Sequence, residues 1–317
     1  MSAANLILVI LALAFAWSMG AHYTGACMGM PHATRSIRLW PALVTMAVFV
    51  LIGASFLSHR VLATVGGKLL GTSLSAAPAA VIIAAAFLLT TIYNRLKIPT
   101  STIQILVFSL IGAGLELHMG IQWMTIGRLV AVWIAAPFVA LALGFFFTRT
   151  FDRIDIFRKQ TQVVGWLLVL AGMLASLTMG ANDVSNATGV FLSTHLSGPF
   201  AAGAVGGVGL ALGVVTWGRP LLERVAFEIV DLDVSMASAA QLVQGLVVLT
   251  AVLGFGDFTS MNQALVGAMA GAGFARGVKT VRWQTLKSIL KGWLLGPASG
   301  LALAYLFAFA LHASGLA

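Results

Sequence analysis

Charge is the scarcest commodity in this sequence. Asp, Glu, Lys and Arg make up 9% of the 317 residues, while 60% are hydrophobic and the mean hydropathy is +1.00. Soluble domains carry about 25% charged residues, so this shortage excludes an ordinary water-soluble globule and leaves a chain built for lipid. The single cysteine, Cys27, excludes an internal disulfide. Nine carboxylates and six histidines leave little material for a catalytic centre, so neither enzyme chemistry nor a resident cofactor or metal is expected. Met1 to Phe15 contains no Lys or Arg, which a secretory leader needs, and is expected to be a retained first span. No Pro- or Ser-rich linker divides the chain. No Gly-Lys-Ser or Gly-Lys-Thr occurs in the sequence, which excludes a nucleotide-binding phosphate loop.

What the sequence does contain is long apolar runs. They fall at 3–30, 39–58, 76–94, 98–115, 123–148, 161–182, 199–217, 236–254, 258–275 and 284–312. Most reach the roughly 20 residues needed to cross a hydrocarbon core, so the expected fold is an all-α polytopic protein of the cell (inner or plasma) membrane. Segments 98–115 and 258–275 are short and open on small hydroxylated residues, as short spans or halves of re-entrant hairpins would. If each run crosses once, 15 of the 18 basic residues fall on one side, and only Arg60, Lys68 and Arg128 on the other. Positive charge marks cytoplasmic loops, so both termini are predicted outside and the net charge of +9 needs no nucleic-acid partner. Asp152, Asp155, Glu223, Glu228, Asp231 and Asp233 share the basic side and read as solvated loop charges.

The sequence also repeats. Met19-Gly20-Ala21 returns as Met179-Gly180-Ala181, Trp123 as Trp283, Trp133 as Trp293 and Pro137 as Pro297, each 160 residues on. Thr100-Ser101, Gln104 and Gly112-Ala113-Gly114 return 159 residues later as Thr259-Ser260, Gln263 and Gly271-Ala272-Gly273. Each half holds five segments, an odd number, so the second copy must be inverted. The division predicted is 1–148, a cytoplasmic link at 149–160, and 161–317. Inverted repeats with interrupted helices in matching places point to a secondary transporter with a midplane site.

The interruptions carry the polar residues. Asp183, flanked by Asn182 and Asn186, follows the apolar run Val163 to Leu177. A carboxylate at bilayer depth costs roughly 2.5–3.5 kcal/mol on insertion scales, so it persists when paired, wet or used. The Gly and Asn residues around it are poor helix formers, and the helix is expected to break within 180–189. Thr100, Ser101 and Thr102 open one short segment, and Thr259 and Ser260 the other. Helix starts and hydroxyls suit a small oxyanion, which they hold without a fixed counter-charge. Asp183 suits a coupling cation, Na⁺ or H⁺. His22 is the other coupling candidate, because imidazole ordinarily titrates near neutrality. Gln104 and Gln263 read as interhelical hydrogen-bonders.

Gly180-Ala-Asn-Asp-Val-Ser-Asn-Ala-Thr-Gly189 resembles the signature of the inorganic phosphate transporter (PiT) family, whose halves each carry a Gly-Ala-Asn-Asp-Val-Ala-Asn-Ala type motif. Thr216-Trp217-Gly218 and Ile98-Pro99-Thr100-Ser101-Thr102 support the likeness, as does the weaker echo Phe258-Thr259-Ser260-Met261-Asn262. The resemblance implies ion-coupled uptake of a tetrahedral oxyanion by alternating access, and a homodimer in the lipid bilayer. Asn182, Asn186, Thr100, Ser101, Thr102, Thr259 and Ser260 would hold the anion, with Asp183 and His22 serving the coupling ion. It also implies one moving core made of the motif helices and the short segments together. The first copy departs from the pattern, with His22, Tyr23 and Ala26 where the motif has Asn, Asp and Asn. That worn copy is similar to the family's sulfate-permease branch. Sulfate carries two charges throughout the physiological range and is favoured by a site with fewer fixed carboxylates, so sulfate is expected and phosphate is the alternative.

Overall fold

The computed structural model describes residues 2–71, 73–96, 98, 100–225, 233–277 and 282–315. Lys97, Pro99, Glu228, Asp231 and Lys279 lie outside the described residues, as do the side chains of Arg158, Glu223, Arg224 and Thr285. The first half runs through α1 (Ala3–His22), a π turn (Gly25–Gly29), α2 (Met30–Ala33), α3 (Leu39–Phe56), α4 (His59–Ala63) and a second π turn (Thr64–Lys68). It closes with α5 (Ala76–Leu96), α6 (Thr102–Glu116) and α7 (Trp123–Arg153). After α8 (Asp155–Lys159) the second half has α9 (Thr161–Thr188), α10 (Val190–Ser193), α11 (Pro199–Trp217) and α12 (Arg219–Val225). Then come α13 (Val234–Thr250), a third π turn (Ala251–Phe255), α14 (Met261–Arg276) and α15 (Trp283–Ala313).

Eight helices among the described residues are long and apolar enough to span a bilayer. The two short runs became α6 and α14, of 15 and 16 residues. At 1.5 Å per residue they reach about 22–24 Å, less than the roughly 30 Å core, so each begins deep in the membrane. The repeat is written in the backbone as well. Both 31-residue helices, α7 and α15, carry an internal proline, Pro137 and Pro297. Arg35 and His195, 160 positions apart, both take the left-handed conformation, at φ 60° and 55°.

Inversion shows in the ends of the long helices. Asp152 at the end of α7 pairs with Arg276, a few residues before α15 begins. His312 at the end of α15 lies 3.4 Å from Glu116, just before α7 begins. The two helices therefore run antiparallel. This makes the protein a multi-pass membrane protein of two inverted repeats.

Helices in lipid gain nothing from hiding apolar surface, so they associate where small residues let backbones touch. A Cβ on Gly20 would stand 2.0 Å from the Leu210 carbonyl oxygen, and one on Gly180 2.0 Å from that of Val50. Gly213 meets Trp17 in the same way at 1.9 Å, and Gly53 meets Leu177 at 1.9 Å. Gly112 meets Leu301 at 2.1 Å, and Gly271 meets Leu141 at 2.0 Å. Each contact joins one half to the other and has its twin 159 or 160 residues away, as a two-fold relation requires. The helices thus form one locked group of four, α1, α3, α9 and α11, and two locked pairs, α6 with α15 and α7 with α14. Between them stand α5, against α1, α6 and α15, and α13, against α9, α14 and α7.

Ion pairs tie both ends. Arg128 at the start of α7 donates to Asp257 at 2.6 Å, and Arg60 donates to the Leu253 carbonyl at 2.7 Å. At the other end Arg276 bridges Asp152 at 2.5 Å and Asp233, the N-cap of α13. These bonds, Asp152 foremost, push the Arg276 guanidinium's pKa further upward. Asp152 and Asp233 are therefore not the free solvated loop charges expected. Each is fixed by a guanidinium whose five donors fit two carboxylates at once. Asp155 keeps its exposed position and pairs with Lys159.

Candidate substrate and ion site

The ends of α1 and α9 come down on the starts of α6 and α14 near the middle of the bundle. Ser101 caps α6 by accepting from the Gln104 N–H, and Ser260 caps α14 by accepting from the Gln263 N–H. Each serine thereby uses an acceptor lone pair and keeps its O–H free to donate. The adjacent Thr100 and Thr259 hydroxyls are fully buried and have no hydrogen-bond partner. A buried hydroxyl without a protein partner keeps a donor that a ligand, an ion or a water can use.

The break expected within 180–189 comes at the last of those residues, Gly189. Helix α9 runs without interruption to Thr188 and hands over to α10 at Gly189, so Asp183 sits on a regular helical turn. Its neighbours explain why the run of poor helix formers still folds as helix. Asn182 clamps the chain ahead of α14: its Nδ2 donates to the Thr259 carbonyl at 2.8 Å and its Oδ1 accepts the Thr259 N–H at 3.0 Å. In the first copy the chain does leave the α-helix, after His22, and passes through the π turn.

Asp183 is completely buried. It accepts from Asn182 Nδ2 at 3.0 Å and Asn186 Nδ2 at 3.4 Å, and the Tyr23 hydroxyl stands beside it. None of these partners carries a positive charge. The Asn186 Oδ1 has no partner at all. A carboxylate in lipid surrounded by amides and a phenol is arranged for a small cation or a proton.

His22 occupies the place of Asn182 and does related work. Its Nε2 lies 3.2 Å from the Thr100 carbonyl, the counterpart of the Thr259 carbonyl, and its Nδ1 lies 2.5 Å from Asn94 Oδ1. Asn262 joins the halves by donating to the Thr100 carbonyl at 2.9 Å and lying 3.1 Å from His22 Nε2. Thr102 belongs to the Asp183 side, bonded to the Tyr23 hydroxyl at 2.8 Å and to Asn186 Nδ2 at 3.4 Å. Its hydroxyl is a bridge between the two motif copies rather than a free donor. The structure thus brings all the expected site residues into one buried region, with Thr100 and Thr259 unengaged and Thr102 engaged.

At Gln104 and Gln263 neither side-chain oxygen has a hydrogen-bond partner, and both residues line an apolar groove between α7 and α15. Asn94, Asn262 and Tyr23 were missed as site residues. A polar residue near the end of an apolar run was the available signal for Asn94, and the second position after a Ser cap for Asn262. Tyr23 was read only as a lost aspartate.

Comparison with known proteins follows the same lines. A Methanocaldococcus jannaschii protein carrying the name "Putative phosphate permease" is 27% identical over 91% of this chain and 91% of its own length. A sulfate permease of Bacillus subtilis is 26% identical over 95% of this chain and 86% of its own length. A solved structure described as the sodium-dependent phosphate transporter superposes with a TM-score of 0.89 at 22% identity, covering 98% of this chain and all of that one. It shares the fold. The model of the phosphate transporter family matches twice, over residues 19–164 and 155–304, and the chain belongs to that family, which is one of transporters and not of enzymes.

Proposed function

We propose, with membership of the phosphate transporter family as the premise, that this protein carries inorganic phosphate across a cell membrane by ion-coupled alternating access. One observation carries the reading: Asp183, fully buried and without a cationic partner, lies in one buried region with the partnerless Thr100 and Thr259 hydroxyls, between two symmetry-related helix starts. The hydroxyls of Thr100, Ser101, Thr259 and Ser260 and the first N–H groups of α6 and α14 hold the anion. Asp183, Asn182 and Asn186 supply oxygens for a sodium ion, or Asp183 takes a proton, with His22 the second proton candidate. The cation neutralises the carboxylate while the anion is present, so the two travel together.

The family's name and the leading relative's name favour phosphate over the sulfate expected from the worn first copy. Sulfate stays the second reading on a specific observation: Tyr23 leaves the site with a single carboxylate, and a sulfate permease is among the relatives. The moving part is one core of the motif helices with α6 and α14, which shifts against the rest and opens the site to each side in turn; the bonds of Asn182 to Thr259 and of His22 to Thr100, joining α9 to the start of α14 and α1 to the start of α6, support this reading. The Arg276 end faces the cytoplasm and both termini face outward, as the basic residues favour. The resemblance extends the reading to a homodimer, which cross-linking in native membranes would test.

The deciding experiment is uptake of radiolabelled phosphate and sulfate into proteoliposomes, with sodium and proton gradients imposed separately. Phosphate should accumulate against its gradient and sulfate should compete weakly. Sulfate accumulation without phosphate uptake would install the second reading, and equilibration without a coupling ion would replace the transporter by a channel.

A further inference from the structure

We propose that two ion pairs, Arg128–Asp257 and Arg276–Asp152, are alternating catches on α14, each holding one face of the anion site shut and releasing when that face opens. The proposal rests on the alternating-access reading and adds what fastens each face. Both catches lie on the seam between α14 and α7. Midway between them along α7 the two backbones come closest, Gly267 against the Pro137 carbonyl, Gly271 against that of Leu141 and Gly144 against that of Ala268. A helix held tightly at its middle and pinned by charge at both ends can rock, and rocking opens one pin while it presses the other shut.

The Arg128 catch is built across the turn that carries half of the site. Arg128 pairs with Asp257 at 2.6 Å, two residues before Thr259. The same turn is held by Arg60 at the Leu253 carbonyl, by Thr64 at the Gly256 carbonyl, 2.9 Å away, and by Trp133 at the Phe258 carbonyl, 3.1 Å away. The Asp257 side chain is 4% exposed and that of Arg128 52%. An enclosed carboxylate gives up its cation only where water replaces it, so this pair parts when its own face becomes wet. At the far end of α14, Arg276 takes Asp152 of α7 and Asp233 of α13 together. In the symmetry-related seam of α6 and α15, the places of Arg128 and Asp257 fall to Ser288 and Ile98, which carry no charge. Those of Asp152 and Arg276 fall to His312 and Glu116, 3.4 Å apart, and His312 is charged only when protonated. At these paired positions permanent ion pairs therefore belong to the α14 seam, where Asn182 of the intact motif grips Thr259. Both catches are closed in this structure, as a carrier shut at both faces requires.

The test is hydrogen–deuterium exchange on the full chain in nanodiscs, a readout that needs no transport, with Asp257→Asn as the first variant. Exchange should rise about threefold over 251–260 and fall by a similar factor over 233–238 and 272–277, the scale of a half-exposed ion pair. Arg276→Gln should do the reverse. Arg128→Gln combined with Asp257→Asn should match Asp257→Asn alone, since a broken pair cannot be broken twice. In vesicles of known orientation, Asp257→Asn should lower the apparent Km at the Arg128 face and raise it at the Arg276 face, each about threefold. Faster exchange over 251–260 with no change at the other end would reduce the pair to a structural tie and overturn the proposal. Additive effects in the double variant, or Km shifts of one sign at both faces, would overturn it as well. Failure of the parent protein to accumulate anion would fall on the transporter reading instead, and exchange at the two ends would still decide the catches.

Discussion

The two copies of the motif, 20–29 and 180–189, keep the same packing and part company in chemistry. Gly20 and Gly180 press equally hard on carbonyls of the opposite half. His22 and Asn182 approach equivalent carbonyls ahead of α6 and α14. One position further, Tyr23 stands where Asp183 stands, and its hydroxyl turns across to that carboxylate and to Thr102. Ala26 gives nothing where Asn186 gives an amide. The difference teaches that packing and function were duplicated together but are maintained separately. The first copy has stopped being a half-site and has become part of the wall of the second.

This contrast can be broken at several depths. Asp183→Asn should lower gradient-driven uptake on the order of 100-fold, because it removes the charge that demands a coupling ion. Tyr23→Phe, at the matching place, should cost about tenfold or less, and equal losses at the two positions would end the asymmetry. Gly20→Ala and Gly180→Ala should each destabilise by about 1–3 kcal/mol through overpacking, and by similar amounts, in thermal unfolding of the purified protein. A large gap between them would mean that the packing has diverged too. His22→Ala should raise the apparent Km about fivefold by leaving the Thr100 carbonyl held by Asn262 alone, while His22→Asn, which restores the second copy's residue, should stay near the parent value. Ser101→Ala and Ser260→Ala should each weaken anion binding by about 1 kcal/mol, and the double variant by about twice that, in equilibrium binding titrations. Strongly unequal effects would show that the anion leans on one helix start.

Much of this was legible in the sequence. The repeat, the inversion and the short helices follow from run lengths and from paired residues such as Trp133 and Trp293, because apolar length is nearly the only requirement lipid imposes. Thr100 and Thr259 announced themselves by recurring. The break within 180–189 was legible from its Gly and Asn residues; that the helix holds as far as Thr188 was not, because the clamp of Asn182 on Thr259 exists only in three dimensions. Asp152 and Asp233 looked like loop charges because their shared partner, Arg276, is distant in sequence.

The glycine contacts between halves carry a consequence for how such a chain is made. Helix α1 closes on α11 and α3 on α9, so the first half leaves the ribosome with its tightest surfaces bare. It can be inserted, but it cannot finish folding until the second half arrives in the opposite orientation. The same contacts are those two identical chains would make if inserted both ways up, with α8 as the later splice. Cut at α8 and expressed as two polypeptides, the halves should reassemble, and either one alone should be cleared by membrane proteases.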